Sequence, residues 1–191
     1  MKKLLLGFLI LVWGINYSNA QTKDFREFNW GDTLKKVKSE EKVRFISKIK
    51  DNVLECYDIL GNTKYRVLFV FNDDNKLESG IYILTRRYSN AQLYFRDYNK
   101  FSKLLTEKYG KATKDKETWT VNTPLDEKTD RGQAIADGIL NLYSVWTTDR
   151  SIIKMTLISI ENYPSLQIHY TAKSLDEFEN EEDLKSILNK L

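Results

Sequence analysis

The 191-residue chain has one cysteine (Cys56), one histidine (His169) and two prolines. Each scarcity removes chemistry. One thiol allows no internal disulfide, so stability must come from burial. Cys56 lies in VLECYDIL and reads as a small buried hydrophobe, with no neighbour in sequence that would lower its pKa. One His and one Cys do not supply the usual donor set of a zinc centre. A Ser-His-Asp triad would have to use His169, and no G-x-S-x-G element accompanies it. In LQIHY, alternation places His169 with Gln167 and Thr171 on the more polar face, as a surface strand residue. The 8 glycines are scattered, with neither G-x-G-x-x-G nor a P-loop among them. Asp73 and Asp74 do not match the calcium-loop pattern. The pairs Asp24/Glu27 and Asp126/Glu127 fall in loops. No metal or cofactor is therefore expected.

Long apolar runs are scarce too. Only LLLGFLILVWGI, Leu4 to Ile15, approaches membrane length, and it is short for a span. Lys2 and Lys3 precede it. NYSNA follows, with Ser18 and Ala20 at the spacing of a signal-peptidase site. This predicts a signal peptide over 1–20, with an uncleaved anchor as the alternative. Residues 21–191 would then be a single exported domain, periplasmic or secreted. No cysteine near the site supports lipoprotein processing. The chain has 30 Lys+Arg against 27 Asp+Glu, and losing Lys2 and Lys3 leaves 28 against 27. Such a near-neutral, mixed surface carries no footprint for nucleic acid.

What is present is aromatic and strand-forming. Phe25, Phe28 and Trp30 lead into Gly31-Asp32-Thr33, where Gly31 permits a turn, Asp32 or Thr33 caps a helix ending near Glu41, and Trp30 packs beneath. Four strands are predicted next: Val43 to Ile49, Val53 to Leu60, Tyr65 to Phe71 and Gly80 to Tyr88. Their short connections favour antiparallel hairpins. A helix from Ser89-Asn90 through Tyr109 carries the stripe Tyr94, Tyr98, Phe101, Leu105, with Gly110 as its stop. ETWTV, a polar loop over 122–131, a helical turn in GQAIADG, and strands in ILNLYSVWT, SIIKMTLISI and SLQIHYTA follow. Ser174 opens a last helix with Leu184, Ile187, Leu188 and Leu191 on one stripe and a solvated acidic run over 176–183. The fold class is α+β: two helix-plus-four-strand units, possible pseudo-repeats 32–88 and 91–172, forming one antiparallel sheet with helices on one face.

FNWGDTLKKV resembles the opening helix of small exported bacterial proteins in which W-G-x-[ST] precedes a short amphipathic helix. FSKLLTEKYGKA resembles the end of their next helix, with Ala112 where proline is common. The order of elements is similar to that of beta-lactamase inhibitory protein, although that family depends on disulfides. The resemblance implies a noncatalytic exported domain that binds another protein through its sheet.

One stretch suggests where. In GIYILTRRY, Tyr82, Leu84, Arg86 and Tyr88 alternate onto one face and Ile81 and Ile83 onto the other. With the isoleucines toward the helices, the first set faces solvent, and a Tyr/Arg stripe on an open sheet has hot-spot composition. Tyr82, Arg86 and Tyr88 are the candidate partner-binding residues, for a protein or envelope component. The competing readings of this stripe are cover by the loop at 122–131 or simply an amphipathic exposed strand, where Tyr is favoured by propensity. Two other functions stay open: an apolar-ligand carrier with an aromatic-lined cavity, and an enzyme using two convergent carboxylates.

Overall fold

The computed structural model describes residues 23–42, 45–50, 52–60, 63–120 and 130–173. The segments expected to form a signal peptide and a last helix, and most of the loop expected over 122–131, lie outside these residues. The described elements are α1 (Leu34–Glu40), β1 (Phe45–Lys50), β2 (Val53–Leu60), β3 (Thr63–Phe71), β4 (Leu77–Leu84), α2 (Gln92–Tyr109), β5 (Lys114–Trp119), α3 (Arg131–Ala136), β6 (Leu140–Thr147), β7 (Ser151–Ile160) and β8 (Tyr163–Ala172).

The eight strands make one sheet in the order β1-β2-β3-β4-β8-β7-β6-β5, antiparallel throughout. Each helix-plus-four-strand unit is a meander. The meanders join edge to edge where their last strands pair, Ser79 opposite Thr171 through Ile83 opposite Gln167. Short turns dictate this path. Glu161 and Asn162 both take positive φ between β7 and β8, the geometry of a two-residue hairpin turn.

The Trp-Gly-Asp-Thr stretch divides its duties as helix starts require. Gly31 has φ +88°. Thr33 is the N-cap of α1, its side chain accepting from Lys36 N at 3.2 Å. Asp32 holds the preceding turn by accepting from Asn29 N and pairs with Lys36 Nζ at 3.0 Å. Trp30 donates its indole N–H to Ser151 Oγ across 121 residues, tying the first turn to the second meander. α2 ends at Gly110, φ +83°, as its sequence signals.

The largest differences from the expected boundaries are in β4 and β5. β4 begins at Leu77 and stops at Leu84, so Thr85 to Tyr88 leave the sheet. β5 starts at Lys114, because backbone pairing with β6 carries KDKETW into the sheet despite its charge.

A single buried cluster crosses both meanders on the helix-covered face. It joins Leu54, Cys56, Val67 and Phe69 of the first to Trp146, Ile153, Met155 and Leu157 of the second, under Tyr94, Tyr98 and Leu105 of α2. Its centre is Phe25, whose ring lies 5.2–5.3 Å from those of Phe69, Tyr82 and Tyr170. That ring rests on Gly80, where a Cβ would overlap it.

Candidate functional site

Tyr82 does not face solvent. Alternation along β4 puts Tyr82 and Leu84 on the helix side with the core cluster, and Ile81 and Ile83 on the other face. The sequence-based orientation is thus reversed. Both sides of β4 carry large apolar residues, and the covered side is decided by the docking of Phe25 and α2, not by the strand's own pattern.

Tyr82 belongs instead to a buried ion network. Arg26, held at φ +55° in a tight bridge between Phe25 and Phe28, sends its guanidinium into the sheet. It donates to both carboxylate oxygens of Glu41 at 3.0 Å, to Asp58 at 2.7 Å and to the Tyr82 hydroxyl at 3.4 Å. Burial opposes the Arg26 charge, but the hydrogen bonds to Glu41 and Asp58 outweigh it and raise its pKa. Nothing in the local sequence joins residues 26, 41 and 58; the sheet does. Cys56 lies close by, with its thiol pushed up to about 12 mainly by burial, as suits an inert core cysteine.

Arg86 and Tyr88 do lie at the surface, in the segment that leaves β4. The Arg86 guanidinium sits 5.2 Å over the Tyr88 ring. Tyr88 is half-buried, edge-on to Tyr94 at 4.8 Å, and its hydroxyl donates to Asp97 of α2 at 2.5 Å. Burial and then that carboxylate raise the Tyr88 pKa. Asp97 also receives Arg96 at 3.4 Å. The next residue makes a second cation–aromatic pair: Arg87 lies 4.2 Å over Tyr163, which is 52% exposed at the β7–β8 turn. Sequence reading missed Arg87 and Tyr163, because the β4–β8 pairing that brings them together is non-local, and it passed over Arg96, which pairs with its own neighbour Asp97 on α2. The site is an exposed arginine–tyrosine surface whose tyrosine is pinned to α2. It can present planar cations to an anionic group and ring faces to an apolar one.

His169 is a second correction. It shares its face with Gln167 and Thr171 as expected, but it is buried, not at the surface. Its Nε2 lies 2.9 Å from Gln167 Oε1, and Gln167 Nε2 donates to Ser165 Oγ, so the ring is the donor in the first bond. Burial, with Lys154 adding to it, lowers the His169 pKa to about 3. Among the described residues, no group of three or more His, Cys, Asp or Glu could hold a metal ion. No described helix is long and apolar enough to cross a membrane.

Neither a protein-family model nor a curated protein matches this chain. One solved structure does, a DUF4309 family protein (YjgB) from Bacillus subtilis subsp. subtilis str. 168. It is 11% identical, with 74% of this chain and 79% of that one covered, at a TM-score of 0.37, a likeness too loose to bear on fold or function. The similarity to beta-lactamase inhibitory protein implied by element order is not shown by these comparisons.

Proposed function

We propose that this protein is an exported, noncatalytic binding domain that engages an anionic protein or envelope component through the surface around Arg86 and Tyr88. The observation that carries this reading is the pair of consecutive arginines that follow β4, Arg86 laid over the Tyr88 ring and Arg87 over the ring of Tyr163 at the start of β8. Guanidinium–aromatic pairs present charge in a fixed orientation, which suits recognition. The aromatics of the core pack edge to face on one another: Phe25 on Phe69, Tyr65 on Phe101, Tyr82 on Tyr170. That arrangement favours a filled core over a ligand cavity. Signal-peptide cleavage after Ala20 supplies the route of export.

The test is crosslinking and affinity capture of residues 21–191 in the native cell envelope. Arg86→Glu should abolish a recurrent captured partner, Arg86→Lys should weaken it, and raised salt should weaken it further. Thermal stability of Arg86→Glu should stay within about 0.5 kcal/mol of the parent, since Arg86 is exposed. Equal capture by parent and Arg86→Glu would remove this surface from the function.

A further inference from the structure

The chain as a whole is close to charge balance, with 30 Lys+Arg against 27 Asp+Glu. The outward face of α2 is not. Arg96, Lys100 and Lys103 recur at i, i+4 and i+7, all exposed, on the side away from the buried Tyr94, Tyr98 and Leu105. Lys108, in the last turn, and Lys111, just past the helix stop, are exposed as well. Against these cations stands one exposed acid, Glu107, because Asp97 is buried and bonded by the Tyr88 hydroxyl. Many cations elsewhere are neutralised. Arg26, Arg66, Arg131 and Arg150 each pair with a carboxylate, and Lys36 of α1 pairs with Asp32. Lys100, Lys103 and Lys111 form no ion pair among the described residues. Leu104 breaks the pattern of this polar face. It is 47% exposed and stands between Lys100 and Lys108 in the i, i+4, i+8 row.

We infer that the outward face of α2 docks on an anionic phospholipid surface, with its lysines at the headgroups and Leu104 dipped between them. Charge complementarity makes the partner anionic, and three features select a lipid surface over a protein or a nucleic acid. The cations are mainly lysines, point charges on flexible stems, which protein interfaces avoid and which suit diffuse negative charge. No aromatic ring stands on the stripe for a base to stack on. The helix is a ridge about 27 Å long at 1.5 Å per residue, so it can lay its cations along a plane. Basic residues near an anionic bilayer add their attractions, and an apolar side chain among them gains by leaving water. This goes beyond the binding reading, because it uses neither Arg86 nor Tyr88.

Residues 21–191 are sedimented with equimolar phosphatidylglycerol–phosphatidylcholine vesicles and with phosphatidylcholine vesicles alone. The parent should prefer the anionic vesicles by about tenfold or more at about 0.05 M salt, and lose that preference at about 0.5 M. Lys100→Glu with Lys103→Glu should weaken the binding about tenfold, whereas the same charge change on α1, Lys35→Glu with Lys38→Glu, should stay within about twofold. Position 104 is read separately in Leu104→Cys carrying an environment-sensitive fluorophore, since the native Cys56 is buried. Its emission should shift to the blue on anionic vesicles, and the same label in Lys38→Cys should not shift. A parent with no preference for anionic vesicles overturns the inference. So does an α1 variant that loses as much binding as the α2 variant, which would leave net charge as the whole effect. An unshifted label at position 104 overturns it too, because Leu104 would then stay in water. Loss of a captured envelope protein from the α2 variant, with no vesicle binding by the parent, would make an acidic protein the partner and overturn it as well. None of these variants touches Arg86 or Tyr88, so this inference and the binding reading fail separately.

Discussion

The two faces of the sheet are built on different principles. The helix-covered face is crowded with rings: Phe25, Phe69, Tyr82 and Tyr170 contact one another, and a buried arginine is wired to two carboxylates beside them. The opposite face is equally dry at its centre but holds aliphatic side chains and a short polar chain, His169–Gln167–Ser165. Aromatic packing is directional and tolerates little displacement. The first face is a core assembled from distant segments, and the second is an aliphatic layer around one satisfied polar chain.

The strongest blow to the first face is Arg26→Ala. It strands Glu41 and Asp58, whose carboxylates are largely withdrawn from water, and should cost about 3–5 kcal/mol in urea unfolding. Combining it with Glu41→Gln and Asp58→Asn should recover much of the loss. A loss below about 1 kcal/mol would mean that the network is decoration and that the rings alone define this face.

The second face is sharpened by acid. His169 is neutral when folded, with its pKa lowered to about 3 by burial first and Lys154 second, against an ordinary value near 6.5. The unfolded chain therefore binds the extra proton between these values. The stability tied to this group is fully present above about pH 6.5 and is lost as pH falls toward 3. Between pH 6.5 and 5 the loss should be about 2 kcal/mol, at about 1.4 kcal/mol per pH unit. His169→Asn should remove that slope when denaturation midpoints are compared across the range. An identical slope in the variant would mean that this face is wet.

A smaller effect probes how closely the first face is fitted. Gly80→Ala places a methyl against the Phe25 ring and should cost about 1–3 kcal/mol in thermal unfolding. The same change with Phe25→Leu should cost less than the sum of the two single changes. Simple additivity would show that the ring has room to move.

Much of this fold was legible because its signals are local. β2 and β7 run over the residues their apolar patterns predict, Thr33 and Gly110 bound helices where capping chemistry places them, and short turns forced antiparallel neighbours. The site was half legible. Arg86 and Tyr88 could be picked from composition, but Arg87 acquires meaning only beside Tyr163, and the neighbours Arg96 and Asp97 only because Tyr88 reaches that carboxylate on α2. Tyr82 and His169 were misplaced for one reason. A period of two separates the faces of a strand without saying which is covered, and both faces of this sheet are covered at the centre.

By itself, then, the sequence determined the class and the order of the described elements, because capping, periodicity and turn chemistry act over a few residues. It also excluded an internal disulfide, by counting. The tertiary structure decided which side of β4 is inside, how Arg26 finds Glu41 and Asp58, and where the only histidine sits. Those outcomes depend on which distant segment wins each sheet face, a competition between burial energies that no local pattern records.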